Sequence, residues 1–276
     1  MIDEKNKNNN PLYAKGRRYP IEISCVAWVD LLGYGKMLEI GKFDPSCEET
    51  VEAVTRLDYF HELLHKNTKR LFPIFIMNDG ACLFRDLKPR TSSVTYDFII
   101  KCINLFEQIN KVEHKNGFPG ARMVIATGPR IRSKMKDLVK NNHIDSILQR
   151  YKEHLISAEQ AIHESFRARS EYGLISELQA NFAFTRAYLA ESGGKSKGFP
   201  GNNCFIDRKI LKNYCLFGID AENSIPLNDL GLNTDFFKIG DFNTGNVSAS
   251  DFNSGYEICE LLDLDFRYDK YIKVER

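Results

Sequence analysis

Four short apolar runs interleaved with two amphipathic helical stretches constrain this chain more than anything else in its sequence. Residues 21–29 (IEISCVAWV) form a β-branched and aromatic run of strand length that suits a buried strand. Residues 47–70 place Val51, Val54, Leu57, Phe60, Leu63 and Leu64 at helical spacing. LFPIFIM (71–77) reads as a second strand, Asn78-Asp79-Gly80 has hairpin-turn chemistry, and ACLF is the returning strand. Residues 93–112 carry Phe98, Ile99, Cys102, Ile103, Leu105, Phe106 and Ile109 on one helical stripe, and ARMVIATG (121–128) is a further strand. The order is β-α-β-β-α-β, which predicts an α/β (α+β) fold built on a ferredoxin-like split unit. In that topology the end of the first strand and the tip of the hairpin are neighbours, so Asp30 and Asp79 meet although 49 residues separate them.

The flanking segments are read more coarsely. Residues 1–19 are polar and Asn/Lys-rich and are expected to be a flexible leader. The expected palm covers 20–210 and includes a charged helical excursion over 132–166, whose charges a solvated face explains. Residues 172–192 read as a helix and NCFID (203–207) as an edge strand. Residues 211–276 are expected to be a C-terminal extension packed on the palm.

Composition narrows the partners. The 38 basic and 37 acidic residues give a formal net charge of +1, without the basic excess that a nucleic-acid polymer demands. A small triphosphate needs only a local basic cluster. None of the seven cysteines is spaced as CxxC, which argues against a zinc site or a disulfide framework and for free thiols in a reducing compartment. No signal-peptide core or membrane-length apolar stretch is present, so a cytoplasmic location without a membrane partner is expected.

Asp30 ends the first strand and is followed by a glycine-bearing turn, Leu31-Leu32-Gly33-Tyr34. A carboxylate there can hold a hard divalent cation while the backbone N–H groups of residues 32–35 face phosphate oxygens. Either aspartate alone is also explained as a turn residue; the pair within one βαββ frame points to two metal ions. No Gly-x-Ser-x-Gly is present, the histidines lie on helical faces, and GGKS at 193–196 lacks the Walker spacing.

CVAWVDLLGYGKM resembles the strand-Asp motif that opens class III adenylyl and guanylyl cyclase domains. IMNDGACLF is similar to their Gly-Asp hairpin, with Asn78 where glycine is usual. ARMVIATG resembles their arginine- and glycine-bearing strand, and FAFTRAYLAESG before NCFID their late helix and strand. The resemblance covers about 21–210. It implies a homodimeric nucleotidyl cyclase, acting on a nucleoside triphosphate with two divalent ions (Mg2+ or Mn2+) held by Asp30, Asp79 and the backbone of Leu31. Leu32, Gly33, Tyr34, Phe75 and Arg130 are the implied substrate contacts, and Arg186 the implied further catalytic residue; Lys36 and Lys238 are weaker phosphate candidates. Phe75 stands where many relatives carry a purine-reading lysine. The Asn and Arg that support ribose and transition state have no clean match, Thr185 and Leu189 falling at those places. These departures resemble the bacterial cyclases of Pycsar antiphage defence, which make cyclic CMP or cyclic UMP. A cyclase making cyclic AMP, cyclic GMP or a cyclic oligonucleotide, and an inactive nucleotide-binding module, remain the alternatives.

Overall fold

The computed structural model describes residues 21–131, 142–167, 175–229 and 232–262. These fall into two compact units. The larger unit, 21–130 with 181–276, holds a seven-stranded mixed sheet. In chain order its elements are β1 (Ile21–Leu31), α1 (Tyr34–Ile40), α2 (Glu48–Asn67), β2 (Ile74–Met77), β3 (Gly80–Asp86), α3 (Ser93–Lys115) and β4 (Ala121–Ile131). The smaller unit carries α4 (Asn142–Lys152) and α5 (Ala158–Arg167), and the larger unit continues with α6 (Phe182–Gly193), β5 (Cys204–Asp207), β6 (Ile225–Asp229), β7 (Leu232–Ile239) and α7 (Gly255–Leu261).

The strand order is β2-β3-β1-β4-β5-β7-β6. Its first four strands are the split unit expected from the sequence, with β3 antiparallel to both β1 and β2. Alternation assigns the two faces of the sheet. Ile23, Cys25, Ala27, Val29 and Leu31 of β1 join Ala81 and Leu83 of β3 in the main core, with Phe60 and Leu64 of α2 and Phe98, Ile99, Cys102 and Ile103 of α3. Trp28 and Asp30 therefore point to the opposite face, which α6 covers through Ala183, Arg186, Ala187 and Ala190.

Four local expectations are corrected. NCFID is not an edge: β5 is parallel to β4, antiparallel to β7 and buried along its length, because Cys204 and Ile206 feed one apolar face and Phe205 the other. Residues 225–239 complete the same sheet as β6 and β7. The helix expected from 172 starts only after Asn181, whose side chain accepts the Phe184 N–H as an N-cap; residues 172–174 lie outside the described residues. On α2, Val51 and Val54 are about half exposed, while Ala53, Arg56, Phe60 and Leu64 face inward. The buried stripe is rotated from the apolar one because Arg56 has a buried partner, Glu113.

The excursion is two helices rather than one, interrupted after Lys152 and restarted at Ala158 behind a Ser157 side chain that accepts the Gln160 N–H. Its first part, and the expected leader, lie outside the described residues. All seven cysteines are free and five are buried. Among the described residues no helix is long and apolar enough to cross a membrane.

Candidate functional site

Asp30, one residue from the end of β1, stands opposite Gly80, the first residue of β3. The hairpin between β2 and β3 is only Asn78 and Asp79, because Met77 already pairs with Gly80. Asn78 has a φ of 56°, a left-handed value that glycine adopts freely and asparagine tolerates best among side-chain-bearing residues. Its side-chain amide donates to an Asp79 carboxylate oxygen at 2.9 Å, and its carbonyl lies 2.9 Å from His61 Nε2. The Leu31 N–H donates to the Asp79 carbonyl at 3.1 Å, which stitches the strand end to the hairpin tip. Asp30 near its strand's end and Asp79 in the adjacent hairpin turn are thus brought to one end of the sheet.

Burial first, then the charges of Glu191 and Asp79, push the Asp30 carboxyl up to about 7; Arg122 and Arg56 pull it back only in part. Arg122 is tied up by Glu191 at 2.5 Å and by the carbonyls of Glu191 and Phe199. Asp30, Asp79 and Glu191 thus gather acidic charge around a carboxyl that burial already pushes up. Among the described residues no group of three or more His, Cys, Asp and Glu converges. Two carboxylates and the Leu31 carbonyl are hard oxygen donors of the kind Mg2+ takes when substrate phosphates and water complete its shell, so the donor set fits such an ion.

Gly80 is required by space. A Cβ there would lie 2.7 Å from Trp28 Cζ2 and 3.0 Å from Asp30 Oδ1. Trp28 is a rigid ring wedged under α6, so Gly80→Ala must displace either the indole or the carboxylate. We expect a loss of about 1–3 kcal/mol in stability together with weaker Mg2+ binding. Thermal melts and metal titration calorimetry check this, and an unchanged melt with unchanged affinity contradicts it.

The turn after Asp30 is set by one buried cation. Arg56 Nη2 donates to the Leu32 carbonyl at 3.1 Å and the Gly120 carbonyl at 3.3 Å, and the same Gly120 carbonyl accepts from the Leu32 N–H. Gly33, with φ of 74°, caps α1. Leu32 and Gly33 lie partly or fully open beside the carboxylates, whereas the Tyr34 ring is buried in the main core and faces away from solvent. Phe75 stacks on Phe84 at 5.5 Å and is in register with Cys82, which pairs with Trp28, so these three share the Asp30 face.

The arginines fall elsewhere. Arg130 is bound by Glu22 and Asp86, which belong to the far ends of β1 and β3. Eight residues of strand, roughly 26 Å, separate Glu22 from Asp30, because β4 passes the carboxylates at its start and not its end. Arg186 is buried, donates to the Thr127 carbonyl at 2.7 Å and lies 3.9 Å from Asp207. Neither guanidinium is brought to Asp30. Arg122, which a strand-opening arginine gives little reason to choose, is felt there together with Arg56. The Thr185 hydroxyl bonds back to the Asn181 carbonyl, Lys36 is exposed on α1, and Lys238 is exposed on β7, three strands from β1.

Sequence reasoning also passed over Trp28, Phe184, Tyr188 and Glu191. Two signals were available: Trp28 is two residues from Asp30 on a strand, hence on its face, and Phe184 and Tyr188 are one turn apart on a helix.

No protein-family model matches the chain, and no curated protein does. Among solved structures it is similar to the adenylyl cyclase CyaB from P. aeruginosa, with 13% identity, 82% of this chain and 97% of that chain covered, and a TM-score of 0.46. It is similar also to the guanylyl cyclase Cya2, with 13% identity over 84% of this chain and 100% of that one at a TM-score of 0.44. A third is the non-canonical dimeric guanylyl cyclase domain of the RhoGC fusion protein from the aquatic fungus Blastocladiella emersonii, with 9% identity, 80% and 97% coverage and a TM-score of 0.35.

Proposed function

We propose that this chain is a nucleotidyl cyclase that converts a nucleoside triphosphate into its 3′,5′-cyclic monophosphate and pyrophosphate. The observation that carries the reading is the pairing of Asp30 with Gly80 beside the Asp79 turn, where burial first, and then the charges of Glu191 and Asp79, push the Asp30 carboxyl up. Asp30, Asp79 and the Leu31 carbonyl are the groups that would hold two divalent ions, Mg2+ or Mn2+. Bound there, such ions supply neutralisation of the triphosphate and acidification of the ribose 3′-hydroxyl. The chain's own work is positional. The Arg56 clamp fixes the Leu32–Gly33 turn beside the carboxylates, and α6 closes the face behind them.

The pyrimidine preference rests on the resemblance to Pycsar cyclases and on Phe75, an apolar ring on the site face where a purine-reading lysine is common. Cyclic CMP or cyclic UMP as an antiphage second messenger, a cytoplasmic location and a homodimeric assembly belong to the same proposal.

Incubation with each of the four NTPs and Mn2+ tests the reading. Pyrophosphate and a cyclic product from CTP or UTP are expected, lost in Asp30→Ala. No pyrophosphate from any NTP sinks the enzyme reading, and a purine product sinks the pyrimidine choice. Sedimentation of the purified chain tests the homodimer, and cyclic nucleotide levels in infected cells test the antiphage role.

A further inference from the structure

Beside the carboxylate pair the fold leaves an aromatic cluster partly open to solvent. The Trp28 indole meets Tyr188 at 5.4 Å and 87°, and Phe184 at 5.9 Å and 68°, while Phe184 and Tyr188 stack on each other at 6.0 Å and 25°. Trp28 is only 6% exposed, yet Tyr188, at the top of the cluster, is 46% exposed.

Two further facts point to a ligand. The Trp28 Nε1–H is buried and has no hydrogen-bond partner. A donor buried in this way costs free energy that an acceptor would recover. The Trp28 ring edge and an Asp30 oxygen also lie 2.7 and 3.0 Å from one point above Gly80, which puts them within about 6 Å of each other. The aromatic cluster therefore borders the carboxylates through Trp28, close enough for a nucleotide held there to meet it.

We infer that Tyr188, backed by Phe184 and Trp28, is a stacking shelf for the base of a bound nucleotide. This rests on the nucleotide reading of the Asp30–Asp79 site. Stacking uses the π-face that every base has, so the shelf supplies affinity without a charged reader of the base edge.

Trp28 is the single tryptophan of the chain, so its emission reports the shelf directly. The full chain is titrated in Mg2+ with 3′-deoxynucleoside triphosphates, which lack the attacking hydroxyl, and with inorganic tripolyphosphate as a probe without a base. The nucleotides are expected to change Trp28 emission saturably and tripolyphosphate to leave it unchanged. Tyr188→Leu should raise the nucleotide Kd about tenfold, with tripolyphosphate affinity by calorimetry and the thermal midpoint unchanged; Tyr188→Phe should restore the wild-type Kd. Equal Kd values for wild type and Tyr188→Leu overturn the shelf, as does the lack of a saturable signal with every nucleotide. Loss of self-association in Tyr188→Leu at unchanged nucleotide affinity also overturns it, by making this face a contact between copies. If natural NTPs release no pyrophosphate while the Trp28 signal and the Tyr188 effect remain, the cyclase reading fails and the shelf stands.

Discussion

Asp30→Asn is expected to reduce pyrophosphate release at least about 1,000-fold, because it removes a charged oxygen from the place where hard cations and triphosphate meet. The same change is expected to stabilise the protein without metal. The folded carboxyl titrates at about 7, well above its ordinary value of 3.8, so the fold favours its neutral form. Below about pH 4 the group is protonated in folded and unfolded chains alike, and its full contribution is present. Between about 4 and 7 the unfolded chain releases the proton and the folded chain keeps it, so stability falls as pH rises. Above 7 the loss is complete. Asparagine carries none of this dependence and should exceed wild type by about 4 kcal/mol at pH 8, and by nothing at pH 4. Divalent ions work in the opposite direction. They bind the ionised carboxylate, so their stabilisation of the wild-type chain should grow from pH 6 to pH 8 and be absent in the variant. Urea unfolding at three pH values, with and without Mg2+, measures both effects. A wild-type chain whose stability is flat from pH 4 to 8 relative to Asp30→Asn contradicts the electrostatic account of the site.

Arg56→Met should be strongly destabilising. The guanidinium is fully buried, contacts both carboxylate oxygens of Glu113 with a shortest distance of 2.5 Å, and lies 4.9 Å from the Phe118 ring centroid. It also holds the Leu32 and Gly120 carbonyls. Methionine fills much of the space but leaves the Glu113 carboxylate buried without its partner. The expected cost is about 3–5 kcal/mol. Adding Glu113→Leu should recover most of it, because the penalty lies in the uncompensated charge and not in the lost pair. Since the Leu32 turn loses its anchor in both variants, activity should stay depressed in the double variant even as stability returns. Denaturant midpoints for the two singles and the double close this cycle, and a single-variant loss below about 1 kcal/mol would show the pair to be dispensable.

The sequence by itself determined the core of the fold and the placement of Asp30 beside the Asp79 turn. Alternation along β1 and β3, two helical stripes and a two-residue turn are short-range patterns, and the βαββαβ order leaves one place where Asp30 and Asp79 can go. The rest was decided by tertiary contacts that short-range pattern does not encode. The apolar segment 203–207 looked like an edge because nothing local reveals that β7 pairs beside it. Val51 and Val54 looked buried because an arginine's burial depends on a carboxylate 57 residues away on α3. Arg130 looked like a substrate contact because spacing does not say which end of β4 passes the carboxylates, and Arg186 like a catalytic residue because its contacts with the Thr127 carbonyl and Asp207 come from distant strands. Once the chain is folded, both guanidiniums are held by buried or half-buried acceptors, while Arg122, Glu191 and the Trp28–Phe184–Tyr188 cluster are gathered around Asp30. The positions of two aspartates follow from local periodicity; the charge and aromatic surface around them come from distant segments that share only the covered face of one sheet.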